Sequence, residues 1–177
     1  MSIKKIKIIS AIGVFLLCIL THFLYEWFPN FLFSIFFPVN ESIFEHVKMI
    51  YTTFLLYSII EYILQKKYNI VDKNFLFNTL FTSISCIIIY LIVYLPVYYT
   101  FGENMIFTIS WLFLSIVISE IISYNLYSLK KIPNSNLISL TFIIILYIII
   151  GYFTYYPLKQ DFFFDPKHKI YGIDYKG

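Results

Sequence analysis

Five runs of apolar residues constrain the chain more than any other feature: Ile6 to Phe28, Ile43 to Leu64, Phe75 to Thr100, Met105 to Leu129, and Leu137 to Tyr156. Each reaches the length of about 20 residues that a helix needs to cross roughly 30 Å of hydrocarbon. Within a bilayer the backbone must satisfy its own hydrogen bonds, so such runs are expected to be helices. The predicted fold is all-α, a polytopic transmembrane bundle of about five spans, with residues 1–177 as a single integral membrane domain and residues 157–177 as its tail. The separators "QKKYNIVDKN", "FGEN" and "KKIPNSN" carry turn formers or charges that a bilayer interior penalises. "NFLFSIFFP" is too short to span and ends in Pro38, which suits an interfacial or re-entrant segment. Apolar residues make up 60% of the chain and charged ones 13%, against about half and a quarter in soluble domains. No length remains for a soluble catalytic domain beside the spans. The basic start and apolar core of "MSIKKIKIISAIGVFLLCIL" resemble a signal peptide, but without a small-residue cleavage site they read as a retained first span.

Lysine placement orients the bundle. Lys4, Lys5 and Lys7 precede the first span, Lys66, Lys67 and Lys73 follow the second, and Lys130 and Lys131 follow the fourth, whereas the alternate loops offer only Lys48. The positive-inside rule then puts the N-terminus in the cytoplasm and the C-terminus outside, at the plasma membrane. Lys159, Lys167, Lys169 and Lys176 in the tail weigh against this, but they follow the last span. Trp27, Tyr98, Tyr99, Tyr155 and Tyr156 fall at the expected outer ends, where amphipathic rings favour the headgroup level. The basic residues are scattered Lys with no Arg, which argues against a nucleic-acid partner and removes the usual bidentate phosphate clamp. Cys18 and Cys86 lie within apolar runs and are expected as free buried thiols. Oligomeric state is not legible, and no internal repeat is visible.

Polarity gathers at one place, "FFPVNESIFEHVKMI". Ser42 with Glu45 forms a capping-box pattern, Asn40 is a second cap candidate, and Glu41 suits the positive end of a helix dipole. Lys48 can snorkel or pair with Glu45. Capping leaves His46 unexplained, and ionisable groups at membrane depth are costly. In the predicted orientation His22 and Glu26, one turn apart at the end of the first span, lie at the same level. The tail adds Asp161, Asp165, His168 and Tyr171. Glu45, His46, Glu26 and His22 are the catalytic candidates. Asn40, Glu41, Ser42, Lys48, Asp165, His168, Tyr171 and Glu120 are the binding candidates. His22, Glu26 and His46 form the candidate ligand set for a divalent metal such as zinc, which accepts imidazole nitrogen and carboxylate oxygen. No HExxH, HxxxH or HxH motif accompanies them. Without metal, a carboxylate paired with His22 or His46 can still serve acid-base chemistry.

A second polar level lies deeper. Glu61 and Glu120 come late in spans two and four, at similar predicted depth toward the cytoplasm, with Ser115, Ser119, Ser123 and Asn125 nearby. Serines of this kind pack helices together. Glu120 within "WLFLSIVISEIISY" must be neutral, paired or wetted. Glu61, near Gln65 and Lys66, is expected to reach the interface.

The elements "HFLYEW", "PVNESIFEHVK" and "FFFDPKHKIYGI" resemble a family of small, uncharacterised bacterial multi-pass membrane proteins, a domain of unknown function. Phe44 stands where that pattern has Trp. The resemblance implies that His22, Glu26, Asn40, Glu41, Ser42, Glu45, His46, Lys48, Asp165 and Tyr171 belong together, and it implies no reaction. The residues themselves point first to an outward-facing polar site for a lipid headgroup or small polar solute, with hydrolysis or group transfer at the outer leaflet as its enzymatic form. The alternatives are a transporter, channel or accessory subunit that uses Glu61 and Glu120 for coupling, and a structural scaffold. Membrane lipids are the expected partners.

Overall fold

The computed structural model describes residues 1–173, which leaves Lys176 of the tail outside the described residues. Six helices run in order: α1 (Ile3–Trp27), α2 (Phe31–Phe36), α3 (Ile43–Lys67), α4 (Phe75–Phe101), α5 (Met105–Leu126) and α6 (Ser135–Tyr155). All but α2 are long and apolar enough to cross a membrane. A 3-10 turn (Asp161–Phe163) follows α6 and leads into a small antiparallel hairpin, β1 (Phe164–Asp165) with β2 (Ile170–Tyr171). Helix starts follow local chemistry: the side chains of Ser2, Asn30, Ser42 and Asn104 each accept a backbone N–H in the first turn of α1, α2, α3 and α5. Helix α3 runs three residues beyond the apolar stretch to Lys67. Its last turn carries Lys66 and Lys67, whose charges suit the negative end of the helix dipole.

The long helices alternate in direction. One end of the bundle, the amino end, gathers the starts of α1, α4 and α6 with the ends of α3 and α5. The tail end gathers the rest, together with α2 and the hairpin. Helix α3 is central, lying against α1 and α4, while α5 fills the space between α1 and α4 and α6 packs on α4 and α2. The least apolar of the five long helices is also the most enclosed: half of the α3 window lies inside the protein, against 17% for α6. Polar groups on α3 need partners in the absence of water, and a central position supplies them. Gly13 makes room on α1 for the Tyr57 ring of α3, because a Cβ there would sit 2.2 Å from that ring.

Polar locks close both ends. At the amino end Asn74 accepts from Ile132 N at 2.8 Å and Ser135 Oγ at 3.0 Å, tying the start of α4 to the α5–α6 connection. At the tail end Lys48, fully buried, reaches Glu45 at 2.5 Å and donates to Ser34 O at 2.8 Å and Thr154 Oγ1 at 3.0 Å. Thr154 donates in turn to Glu45 Oε1 at 3.2 Å, and Val39 N donates to Glu45 Oε2 at 3.0 Å. The tail docks through Phe163, whose ring lies 4.8 Å from that of Phe44 and 5.5 Å from that of Phe153.

Removing one partner of a buried ion pair strands the other charge, at a cost of about 3–5 kcal/mol. Glu45→Gln and Lys48→Met are each expected to lower the unfolding free energy by about that much in a denaturant titration in detergent. The Glu45→Gln/Lys48→Met double variant should lose less than the sum of the two single losses, because no charge is left stranded. Additive losses would show that the pair does not act as a unit.

Candidate functional site

At the tail end, α1, α3, α4 and α5 part to leave a cavity of about 620 Å³. Its inner wall is apolar, with Phe15 and Cys18 of α1, Met49 and Ile50 of α3, and Leu112 of α5. Ile19 and Phe23 on one flank and Met105 and Ile109 on the other also line it, and all four reach the surface. The mouth therefore lies on the apolar flank between α1 and α5. The polar head of the cavity is formed by His22, Glu41, His46 and Glu103, roofed by Pro166 and Lys167 of the hairpin.

Three groups converge in that head. Glu41 Oε2 lies 3.5 Å from His22 Nε2 and 3.6 Å from His46 Nε2. One ligand atom from each of the three residues falls within 4.8 Å of the others, and the two imidazole rings are 5.4 Å apart. Tetrahedral zinc with bonds near 2.0–2.2 Å places ligand atoms about 3.3–3.5 Å apart, so two edges of this triangle already fit. The tautomer of His46 is assigned by its neighbour. Nδ1 lies 2.9 Å from the carbonyl oxygen of Ser42, an acceptor only, so Nδ1 carries the hydrogen and Nε2 offers its lone pair toward Glu41 and His22. A ligating imidazole anchored through its other nitrogen to a backbone carbonyl is the usual support for a metal site.

Glu41 is held by the loop it occupies. Asn40 accepts from Ser42 N at 2.8 Å and donates to Gly172 O at 2.8 Å, so the loop before α3 and the hairpin fix each other. Asp165, fully buried, accepts from Glu41 N at 3.1 Å. The same carboxylate accepts from Lys167 N at 2.8 Å and His168 N at 3.1 Å, and it meets His168 Nδ1 at 2.8 Å. Burial alone would raise the Asp165 carboxyl; the His168 ring and the three backbone donors outweigh it and hold the group below its ordinary value. At Glu41 the bond to His22 dominates and holds the carboxyl at about 2, against a smaller opposing effect of burial and with support from His46 and Lys167. Its ordinary value is 4.5.

The sequence-derived candidates thus separate. His22, Glu41 and His46 meet in the cavity. Glu26 is exposed on the last turn of α1 and is not among the residues that meet there, so Glu41 takes the carboxylate position expected for it. The physical reason is depth along the helix: Glu26 lies one turn, about 6 Å, beyond His22, on the exposed end of α1. Glu45, one residue from His46, turns into the core and is occupied by Lys48, Thr154 and Val39. Ser42 caps α3 by accepting Glu45 N at 3.3 Å, but the reciprocal bond of a capping box is absent because the Glu45 carboxylate goes to Val39 N. Asn40, Asp165 and His168 position the loop without lining the cavity, and Tyr171 is exposed on β2 with its ring 5.1 Å from that of Phe164. Glu120 belongs to the opposite end, where it meets Lys7 at 3.5 Å. Sequence reasoning missed Glu103, which sits in a separator read only as a turn. It also counted Lys7 among the cytoplasmic charges. Glu61, expected at the interface, is buried against Lys7, Ser10 and Gln65.

Zinc added to purified protein is expected to bind at one equivalent, with affinity reduced at least about tenfold in His22→Ala, Glu41→Gln and His46→Ala and unchanged in Glu26→Gln. Metal binding that follows Glu26 and ignores Glu41 would refute the ligand set. The Glu41 carboxyl is depressed on folding, so its contribution to stability is complete above about pH 4.5 and is lost as pH falls toward about 2. Acid unfolding monitored by tryptophan fluorescence should accordingly lose part of its pH dependence in that window in Glu41→Gln.

No curated protein matches the chain, and no solved structure matches it. A family described as "Family of unknown function (DUF6512)" matches residues 1–173, and the chain belongs to that family.

Proposed function

We propose that the protein is a multi-pass plasma-membrane protein whose tail end faces outward, and that its cavity receives an anionic lipid headgroup at a divalent metal held by His22, Glu41 and His46. The observation that carries this reading is the polarity gradient of one cavity. A two-histidine, one-carboxylate group stands at the head of an apolar chamber of about 620 Å³. That volume is in the range of small-ligand sites. It holds a headgroup and the upper part of a chain, while the remaining chain can leave between α1 and α5 along Ile19, Phe23, Met105 and Ile109. A small polar solute needs no such apolar wall. Lys167 at the roof adds a positive charge that suits phosphate.

Three protein ligands leave a coordination position open for a headgroup oxygen or for a water made nucleophilic by the ion. The enzymatic form of the reading is therefore hydrolysis or transfer at the headgroup ester, with Glu103 as the carboxylate outside the ligand set that also lines the cavity. Glu45 takes no part in it, since its oxygens are already committed.

A short-chain phosphatidylglycerol titrated into detergent-solubilised protein should bind only with zinc present, and at least about tenfold more weakly in His46→Ala. Binding that ignores zinc would leave an apolar cleft with no metal role. Product formation in the same mixture separates an enzyme from a binding protein. Orientation has its own test in intact cells lacking Cys18 and Cys86: a single cysteine at His168 should react with an impermeant thiol reagent and one at Lys66 should not. The reverse pattern would place the cavity in the cytoplasmic leaflet.

A further inference from the structure

At the amino end, far from the cavity, two carboxylates share one ammonium. Lys7 of α1 contacts Glu61 of α3 and lies 3.5 Å from Glu120 of α5, and all three residues are buried. The two acids are not equivalent. Glu61 also accepts from Ser10 Oγ at 2.9 Å and Gln65 Nε2 at 2.8 Å, so donors from two helices converge on it. Glu120 is 4% exposed, and its Oε2 has no hydrogen-bond partner among the described residues. It lines a chamber of about 10 Å³ with Lys7, Glu61, Tyr57, Thr82 and Ser123. That is the space of about one water molecule.

The charge count decides the chemistry. With both acids ionised, the cluster would carry a net negative charge inside a helix bundle that offers no bulk water, an arrangement that burial strongly disfavours. The groups facing Glu120 cannot cancel it. Among the described residues they are Lys7 from α1, Tyr57, Ser58 and Glu61 from α3, Thr79, Thr82 and Cys86 from α4, and Ser123 on its own helix, of which Lys7 is the only cation. We propose that the cluster is a proton-binding site, in which Glu120 carries one exchangeable proton while Glu61 remains ionised against Lys7, Ser10 and Gln65. The proton is taken from water on loading and returned to water on release, with the chamber's single water position as the first acceptor.

Infrared difference spectroscopy of the full chain in an ester-free detergent reads this directly. At neutral pH the wild type should show the carbonyl stretch of one protonated carboxylic acid, shifted down in D2O. Glu120→Gln should lose it. Lys7→Met should double its intensity, because both acids are then neutral. A wild type without the band at neutral pH overturns the proposal whether or not any variant folds, and so does a band that persists unchanged in Glu120→Gln.

Discussion

The buried pair between Glu45 and Lys48 governs the tail end of the molecule. Away from water, neither charge can be left alone, and each has been given neutral partners as well as the other. Those partners come from separate pieces of chain: Ser34 from α2, Thr154 from α6 and Val39 from the segment before α3. Helix α6 is the least enclosed of the long helices, so its register depends on few contacts of this strength. The segment from Val39 to Ser42 is in turn fixed between Glu45, Asp165 and Gly172, and Glu41 hangs from it. The carboxylate between two imidazoles is therefore set by an ion pair that never touches the cavity.

Helices α1, α3 and α5 carry polar chemistry at both of their ends. At the amino end a lysine of α1 draws α3 and α5 toward the same point. Farther along, Phe15 and Phe113 still meet edge to face at 5.0 Å, and beyond them the two helices separate around the cavity mouth. A bundle joined firmly at one end and parted at the other keeps an opening without exposing backbone, since a helix satisfies its backbone hydrogen bonds within itself.

Much of this was legible in the sequence, and what was hidden has a physical reason. Apolar runs report spans because length and composition are local properties, and Ser42 reports a helix start for the same reason. The gathering of polar residues between Asn40 and Lys48 was visible, but its division was not. Successive helical residues differ by about 100° in direction, so Glu45 and His46 enter different surroundings, and the pattern alone does not say which side is cavity. Glu41 precedes the helix, where periodicity offers no direction at all. Its place depends on Asp165, 124 positions away. Lys7 looked like one of several basic residues at the start of the chain, and only the fold brings it to Glu61, 54 positions away.

The roof of the cavity follows all five long helices in chain order. While the ribosome is still delivering residues beyond α6, the helices can already be inserted, yet Asp165 has not reached Glu41 N and Asn40 has not found Gly172 O. A half-made chain therefore has a bundle without the two contacts that hold Glu41 between His22 and His46. The timing of competence is written into the order of the sequence.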